Sequence, residues 1–295
     1  MTMLPGPSEE VSQPALDEPA VGSLLNTFEP VNAETDRWEM GYHFPTWGSC
    51  IDAFSWGSGC QDPDDLVYKT PGSGSSVVET VPIQVYAPFR CSTFGFEEDE
   101  YKDAAREALR LMGGQRLESE LWAGAIAQAA GWPNRYLADL PSATPADGAG
   151  AGAYGWPTAL AVLQGGLRRC SGEAAGVIHA SPMLVGLWTG TEAVFERDGK
   201  LRDHFGNFIV AGGGYPGTLS GSPVWGVQYA FATDMVDVRV GEVQILGEDV
   251  LAEATRRDIN EVDLIAEATM SAVWARCCHL YVEVSIADAC LYPSP

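Results

Sequence analysis

The feature that most constrains this chain is a crowd of large aromatic side chains in its first fifth, with no apolar partner segment beside it. Six large rings fall between positions 38 and 56, namely Trp38, Tyr42, Phe44, Trp47, Phe54 and Trp56. Rings at this density are costly to leave in water, so the segment is expected to pack against something. Residues 1–30 are rich in Pro, Asp and Glu; they cannot offset the entropy of ordering and are expected to form a mobile arm.

The next stretch predicts a long two-stranded excursion. Acidic residues at 62–65 lead to a Gly/Ser tip at 71–76, and the short apolar pieces 66–69 and 77–81 flank that tip. A strand over residues 83–91 is expected to follow.

A long helix is predicted from residue 96 to about 126, because acidic residues open it and apolar residues recur at steps of three and four. The predicted apolar stripe is Ala104, Ala108, Leu111, Met112, Gln115, Ser119, Trp122 and Ile126. Gly113 and Gly114 in its middle cost about 2 kcal/mol relative to two alanines. They are explained by close approach of another backbone, by a bend in the helix, or by a flexible joint in an ordinary core helix.

The second half of the chain predicts a mixture of helices and strands. Residues 158–169 and the segment opened by Ser181 and Pro182 are expected to be helices, because serine caps a helix and proline fits its first turn. Residues 175–179, 208–211, 224–231, 236–240 and 280–286 are expected to be strands. A last helix is predicted between residues 259 and 277.

Composition limits the classes of function. The 295 residues carry 17 Lys+Arg against 40 Asp+Glu, a formal charge of −23, and 46% of them are hydrophobic. The chain is therefore expected to fold, to be repelled by nucleic-acid phosphates and to lack a membrane span, since no apolar run reaches about 20 residues. The N-terminus also lacks the parts of a secretory signal. Seven cysteines without CxxC spacing are expected to stay reduced and mostly buried, as in a reducing cytoplasm.

Catalytic motifs are sparse. The four histidines fall in different units without partners at metal-ligand spacing, so each is expected to be structural. The pattern Gly212-x-Gly214-x-x-Gly217, followed by Asp234, matches a dinucleotide-binding fingerprint, and a nicotinamide-binding oxidoreductase is the remote alternative. That fingerprint needs a helix to start inside it, whereas Tyr215-Pro216 and the residues after Gly217 predict a loop.

The order and spacing of these units resemble the major capsid proteins of tailed bacteriophages, which have the Hong Kong 97-type fold, and the related encapsulins. The resemblance rests on the loop at 47–83, the strand and long helix at 89–122, the helix–strand–helix at 160–182, and the segments 229–240 and 260–286. Residues 210–217 and 274–279 look most like shell proteins of actinobacterial phages.

The resemblance implies an α+β fold with an N-terminal arm, an extended two-stranded loop, a long spine helix, a peripheral sheet domain and a central α/β domain. The implied boundaries are 1–46 for the arm, 47–83 for the loop, 84–140 with 232–295 for the peripheral shell-wall domain, and 141–231 for the central domain.

The implied function is that of a non-enzymatic major capsid protein without cofactor or metal. Copies of the chain would assemble into hexamers and pentamers of an icosahedral head enclosing double-stranded DNA, in the host cytoplasm. Arginines outnumber lysines 14 to 3, which suits ion pairs between subunits. Expected partners are a separate scaffold protein (because only about 30–45 residues precede the loop), a portal and a decoration protein. Sequence-specific nucleic-acid binding and membrane contact are not expected.

The resemblance also implies site residues. Assembly contacts are expected from the loop, at Trp47, Phe54, Trp56 and Tyr68. Some members of the family join subunits by a lysine–asparagine bond with a glutamate assisting, and the candidates here are Lys69, Asn260 and Glu267. The alternative for Lys69 is an ordinary surface lysine.

One further alternative stays open. An encapsulin-like shell would enclose a cargo enzyme in place of a genome, and nucleic acid inside purified particles would separate the two.

Overall fold

The structure is a computed structural model, and it describes ten stretches of the chain. They are residues 20–31, 36–45, 77–92, 98–150, 152–172, 174–219, 226–246, 255–256, 261–274 and 278–286. Every structural statement below concerns these residues.

The described residues form five α-helices and fifteen strands. The helices are α1 (Leu24–Thr27), α2 (Glu98–Ala123), α3 (Ala125–Ala130), α4 (Trp156–Ser171) and α5 (Pro182–Gly190), with a 3₁₀ turn at Asp36–Met40. The strands of the first half are β1 (Tyr42–Pro45), β2 (Val77–Thr80), β3 (Ile83–Ser92), β4 (Thr144–Pro145), β5 (Tyr154–Gly155) and β6 (Val177–His179). Those of the second half are β7 (Val194–Arg197), β8 (Lys200–Asp203), β9 (Phe208–Val210), β10 (Val227–Thr233), β11 (Val236–Val240), β12 (Gln244–Leu246), β13 (Thr255–Arg256), β14 (Glu261–Trp274) and β15 (His279–Ser285).

The larger sheet has the strand order β4-β15-β10-β6-β9-β8-β7, with β5 also paired to β15. Helices α4 and α5 pack on it, and Leu163, Leu184 and Trp188 are fully buried in the core between helices and sheet. Ser181 caps α5 by accepting a hydrogen bond from the Leu184 amide at 3.2 Å, as the sequence predicted. Strand β15 belongs to this sheet, and the predicted domain boundaries stay a prediction.

The smaller sheet is built on β14. Strand β3 pairs with one edge of β14, from Glu261↔Ser92 to Met270↔Ile83, while β11, β12 and β13 pair with it as well. The predicted helix at 259–277 is therefore wrong. Alanine and glutamate favour a helix locally, but alternate residues such as Leu264, Ala266 and Met270 are buried, and pairing with β3 overrides the local preference.

Helix α2 confirms the predicted long helix and packs on the smaller sheet. The predicted stripe is only partly correct: Trp122 is fully buried, but the rest of the buried row is Tyr101, Ala105, Leu109, Leu117 and Leu121. Leu111 and Met112 of the predicted stripe are instead 44% and 51% exposed.

The glycine pair in α2 marks close packing. A Cβ at Gly113 would lie 2.8 Å from Cε of Met270 on β14, and one at Gly114 would lie 3.1 Å from Cδ1 of Leu25. Helix α2 runs unbroken through both positions. The predicted close approach of another backbone is wrong at these two glycines, because side chains of Met270 and Leu25 make the approach.

One pair of cysteines departs from the expectation of reduced thiols. Cys170 in α4 and Cys278 before β15 form a disulfide across 108 residues of sequence, with their Cα atoms 5.7 Å apart. The expectation fails here because it relied on compartment, and the fold brings the two residues together.

Candidate functional site

The predicted assembly and cross-link residues lie mostly outside the described residues. This holds for Trp47, Phe54, Trp56 and Tyr68, and also for Lys69 and Asn260. Glu267 lies on β14, half-buried, opposite Tyr86 of β3 and Gln244 of β12. It is on a strand and not on the predicted closing helix, and the cross-link stays a prediction.

Two short strands flank residues 46–76, which lie outside the described residues. Strands β1 and β2 pair antiparallel, from Tyr42↔Thr80 to Pro45↔Val77. The residues on either side of the segment 46–76 therefore lie next to each other, and the predicted loop at 47–83 stays a prediction. The predicted strand at 77–81 is confirmed over β2, whereas residues 66–69 are outside the described residues.

Polar side chains hold the paired strands β1 and β2 in place. The Tyr42 hydroxyl lies 3.3 Å from Oδ2 of Asp237 and 3.1 Å from Oγ of Ser271, and the Arg239 guanidinium stacks 4.1 Å from its ring centre. Burial is the main cause that raises the pKa of Tyr42, so the phenol stays neutral. On the other strand, the Asn134 side chain accepts from the Val81 amide at 2.7 Å and donates to its carbonyl at 2.6 Å. The paired strands β1 and β2, the root of the predicted loop, are thus tied to the rest of the described protein by these side-chain contacts.

An open groove of about 1040 Å³ runs between β3, α2 and the start of α5. Its apolar lining includes Tyr86 and Pro88 from β3, Ile126 from α3 and Met183 from α5. Tyr86 is 64% exposed. Among the described strands, β3 pairs with β14 alone, so its other edge has backbone groups free to accept a further strand.

Glu118 of α2 joins three parts of the molecule. Its side chain is buried, and its carboxylate accepts hydrogen bonds from the Leu24 amide at 2.8 Å and the Gly214 amide at 3.0 Å. The first amide belongs to the arm and the second to the glycine loop. Burial raises the pKa of the Glu118 carboxyl, and the two amide hydrogen bonds act against that shift.

Residues 20–31 of the arm have further contacts around Glu118. The Ala211 amide donates to the Gly22 carbonyl at 2.8 Å, and the Val31 amide donates to the Val238 carbonyl at 2.8 Å. The Asn26 side chain also donates to the Gly199 carbonyl at 2.9 Å. The described part of the arm is therefore fixed to both sheets and to α2, and the expectation of a mobile arm is wrong for residues 20–30.

The glycine motif serves this packing. Residues 211–219 form a loop without a helix, as the sequence predicted. A Cβ at Gly214 would collide with backbone atoms of Gln115 and Ser119, so glycine lets the loop lie directly on α2. The Trp122 indole also donates to the Thr218 carbonyl at 2.9 Å. The geometry that a dinucleotide fingerprint requires, a helix N-terminus facing a phosphate, is not present at this loop.

A buried hydrogen-bonded chain continues from the glycine loop into the larger sheet. His179 Nδ1 lies 3.0 Å from the Tyr215 hydroxyl, and His179 Nε2 lies 3.0 Å from Oγ1 of Thr233. Since the Thr233 hydroxyl donates to the Asp234 carbonyl, it accepts from Nε2, and Nδ1 accepts from Tyr215. Burial, with a smaller contribution from His279, lowers the pKa of His179 to about 3, so this histidine is neutral.

The described residues offer no other chemical centre. Within the described ranges, no three His, Cys, Asp or Glu side chains are placed to hold a metal ion. No helix in the same ranges is long and apolar enough to cross a bilayer. Sequence reasoning missed Glu118 and Asn134, because their partners lie 94 and 53 residues away and no local pattern marks them.

Comparison with known proteins finds solved structures with a similar fold. No protein-family model matches the chain, and no curated protein matches it. Among solved structures, the capsid of the native GTA particle covers 96% of this chain and 95% of its own, with a TM-score of 0.54 and 12% identity. The capsid of Ralstonia phage GP4 covers 98% and 96%, with a TM-score of 0.52 and 10% identity. A structure from Mycobacterium phage Cain covers 96% and 94%, with a TM-score of 0.53 and 13% identity.

These likenesses span nearly the whole of each chain, and at such low identity they show the fold. The α+β, Hong Kong 97-type fold expected from the sequence is confirmed.

Proposed function

We propose that this chain is a major capsid protein that assembles with copies of itself into a closed icosahedral shell. The observation that carries the proposal is the likeness to phage and GTA capsids over 96–98% of the chain, with no large segment left over for another task. In such a shell the subunits form hexamers and pentamers, and the product is a virion component.

The root of the predicted loop, strands β1 and β2, supports the proposal. It is the place from which residues 46–76 of one subunit would reach a neighbouring subunit. A segment that must reach a neighbour needs a firm attachment, and β1 and β2 are fixed by Tyr42 on one strand and by Asn134 beside the other. The aromatic residues Trp47, Phe54 and Trp56 lie within the segment that this root presents. Aromatic side chains carry much of the binding energy at protein interfaces.

The groove beside β3 also supports the proposal, because it is a surface that a neighbouring subunit would contact. It combines an edge of β3 that no described strand pairs with and the exposed ring of Tyr86, and single chains seldom leave both open. We propose that a neighbouring copy covers this groove in the shell.

The net charge of −23 bears on the contents of the shell. An acidic wall repels packaged DNA and does not hold it, which suits DNA that must leave again. A scaffold protein, a portal and a decoration protein complete the proposed set of partners.

Electron microscopy and sedimentation of the purified chain at high concentration test the proposal. We expect closed shells or rings of five or six subunits from the wild-type protein. Tyr86→Ala should reduce the assembled fraction at least tenfold, whereas Tyr86→Phe, which keeps the ring, should assemble as the wild type does. A chain that stays monomeric at every concentration, including with excluded-volume polymers, would overturn the proposal.

A further inference from the structure

Three cationic side chains share one face of the hairpin formed by β7 and β8. In this antiparallel pair Arg197 lies opposite Lys200, and Phe195 lies opposite Arg202. Opposed residues share a face, as do residues two apart along a strand, so Arg197, Lys200 and Arg202 lie together. We call these three residues the cation face. Like charges opposite each other destabilise a sheet, so this arrangement favours an anionic partner.

The described residues supply little negative charge to the cation face. Arg197 pairs with its neighbour Asp198 at 3.7 Å, but the two side chains are 72% and 84% exposed, and such a pair contributes little. No described carboxylate forms an ion pair with Lys200 or Arg202. Their cationic groups lie instead over the ring of Phe208, 5.9 Å and 3.9 Å from its centre.

The remaining acids of the hairpin lie on its opposite face. Glu196 and Asp203 alternate with the residues of the cation face along their strands. The buried Asp203 carboxylate already accepts hydrogen bonds from the side chains of Gln164 and Asn207, at 3.0 Å and 2.7 Å. Apart from Asp198, an anion for the cation face therefore has to come from outside the hairpin.

The described part of the arm lies beside the cation face. The ring of Phe28 is 5.5 Å from that of Phe208, which the two cations of β8 also contact. A Cβ at Gly22 would lie 2.6 Å from Cδ1 of Leu201, the residue between those two cations. The chain before Gly22 therefore approaches the described protein at the strand that carries the cation face.

The segment before the described arm carries negative side chains alone. Residues 1–19 contain Glu9, Glu10, Asp17 and Glu18, and they contain neither lysine nor arginine. Glu18 is four residues before Gly22, so the two Cα atoms can be at most about 14 Å apart. Asp17 and Glu18 are therefore within reach of the cation face along the same chain.

We propose that the acidic residues of segment 1–19 dock on the cation face of the same subunit. Their carboxylates pair with Arg197, Lys200 and Arg202, and the beginning of the arm is held by charge at this edge of the larger sheet. Because the contact is made between exposed charges, it weakens as salt is added. Docking within one chain needs no second subunit, so the inference does not rest on the proposed function.

Zero-length cross-linking of the full chain with a water-soluble carbodiimide tests the contact. The reagent joins a lysine amine to a carboxylate that touches it, and the chain has three lysines, Lys69, Lys102 and Lys200. Peptide mapping at low salt should find Asp17 or Glu18 joined to Lys200. The yield should fall at least about fivefold between about 0.01 M and about 1 M salt, because the screening length falls from about 30 Å to about 3 Å.

Two matched charge reversals show whether the cation face is responsible. Arg197→Glu leaves Lys200 in place and changes an exposed side chain, so Tm should not change. It should lower the yield of the link to Lys200 at least about fivefold at low salt, because it places a like charge beside the docked acids. Arg106→Glu makes the same change at an exposed position of α2 and should keep the wild-type yield.

Isotope labelling identifies whose arm is docked. Chains labelled with a heavy nitrogen isotope are mixed with unlabelled chains in urea and refolded together before cross-linking. Links within one chain carry a single isotope, as proposed, whereas links of mixed isotope would place a second copy on the cation face and overturn the proposal.

The proposal is also overturned if no residue of segment 1–19 is joined to Lys200 at low salt. The same holds if the yield responds neither to salt nor to Arg197→Glu. None of these results depends on whether the chain forms shells, which microscopy tests separately.

Discussion

The two sheets differ in how much of their surface the rest of the described protein covers. The difference separates the part of the molecule that buries its own apolar side chains from the part that leaves them exposed. Central strands of the larger sheet are buried, with Val177, Ile178 and His179 of β6 all at 0% exposure. The smaller sheet has one face buried beneath α2, while Tyr86, Leu246 and Ile265 remain exposed on the other. The larger sheet therefore has a fully buried core, whereas one face of the smaller sheet leaves apolar side chains exposed.

The largest effect should come from removing a core side chain of the larger sheet. Trp188 of α5 is fully buried, and its indole donates to the Trp156 carbonyl at 2.7 Å. Trp188→Ala should lower the free energy of unfolding by about 3–5 kcal/mol in urea titrations, because it leaves a cavity and an unpaired carbonyl. Ile265→Ala, on the open face, should cost below about 1 kcal/mol in the subunit. Equal losses in the two variants would mean that the two sheets do not differ in this way.

Acid should weaken the larger sheet first. Burial lowers the pKa of His179 to about 3 and also lowers that of His279, whose Nε2 donates to the Leu137 carbonyl at 3.0 Å. In the unfolded chain both histidines titrate near their ordinary pKa of 6.5. The stability is therefore complete above pH 6.5 and falls below it, because the unfolded state binds more protons. Each histidine should contribute up to about 1.4 kcal/mol per pH unit.

Thermal unfolding between pH 7 and pH 5 checks this dependence. His279→Gln keeps a donor for the Leu137 carbonyl and should make the slope shallower by the contribution of one histidine. His43→Gln, which replaces an exposed histidine on β1, is the matched control for the substitution itself. An unchanged slope in His279→Gln would contradict the assignment.

Glu118 connects the two regions, and its loss should have an intermediate effect. Glu118→Gln keeps the shape but places an amide donor beside the Leu24 and Gly214 amides, so one of the two hydrogen bonds is lost. We expect a loss of about 1–3 kcal/mol in the free energy of unfolding, and faster exchange of both amides. Glu107→Gln makes the same change at a partly exposed position of α2, where the carboxylate pairs with Arg110, and should cost below about 1 kcal/mol. Unchanged amide exchange in Glu118→Gln would show that the carboxylate does not hold the arm.

The same comparison shows how far sequence reasoning reaches. In the larger sheet the signals are local: the Ser181 cap marks α5, and the glycine-rich residues before Tyr215 mark a loop. In the smaller sheet β14 was mistaken for a helix, because its alanines and glutamate favour one and its partner β3 lies about 170 residues earlier. A short window of sequence around β14 does not show that the strand pairs with residues so far away in the chain.

The site was harder to predict than the fold for the same reason. Glu118 looks like any acidic residue of an amphipathic helix until the arm and the glycine loop reach it. The partly wrong stripe on α2 has a related cause, since apolar residues on an open face, such as Leu111 and Met112, resemble core residues in sequence. An apolar surface that a partner covers has the same sequence pattern as a buried core.

The smallest effect should come from the ion pair on the open face of the smaller sheet. Arg90 of β3 donates to Asp263 of β14 through two guanidinium nitrogens, and their side chains are 59% and 39% exposed. Arg90→Gln should change the free energy of unfolding of the subunit by less than about 0.5 kcal/mol, because water screens the exposed pair. If a neighbouring copy covers this face, the same variant should lower the assembled fraction more than it lowers subunit stability. Sedimentation and urea unfolding of one preparation measure both, and equal small effects on the two would place Arg90 outside the interface.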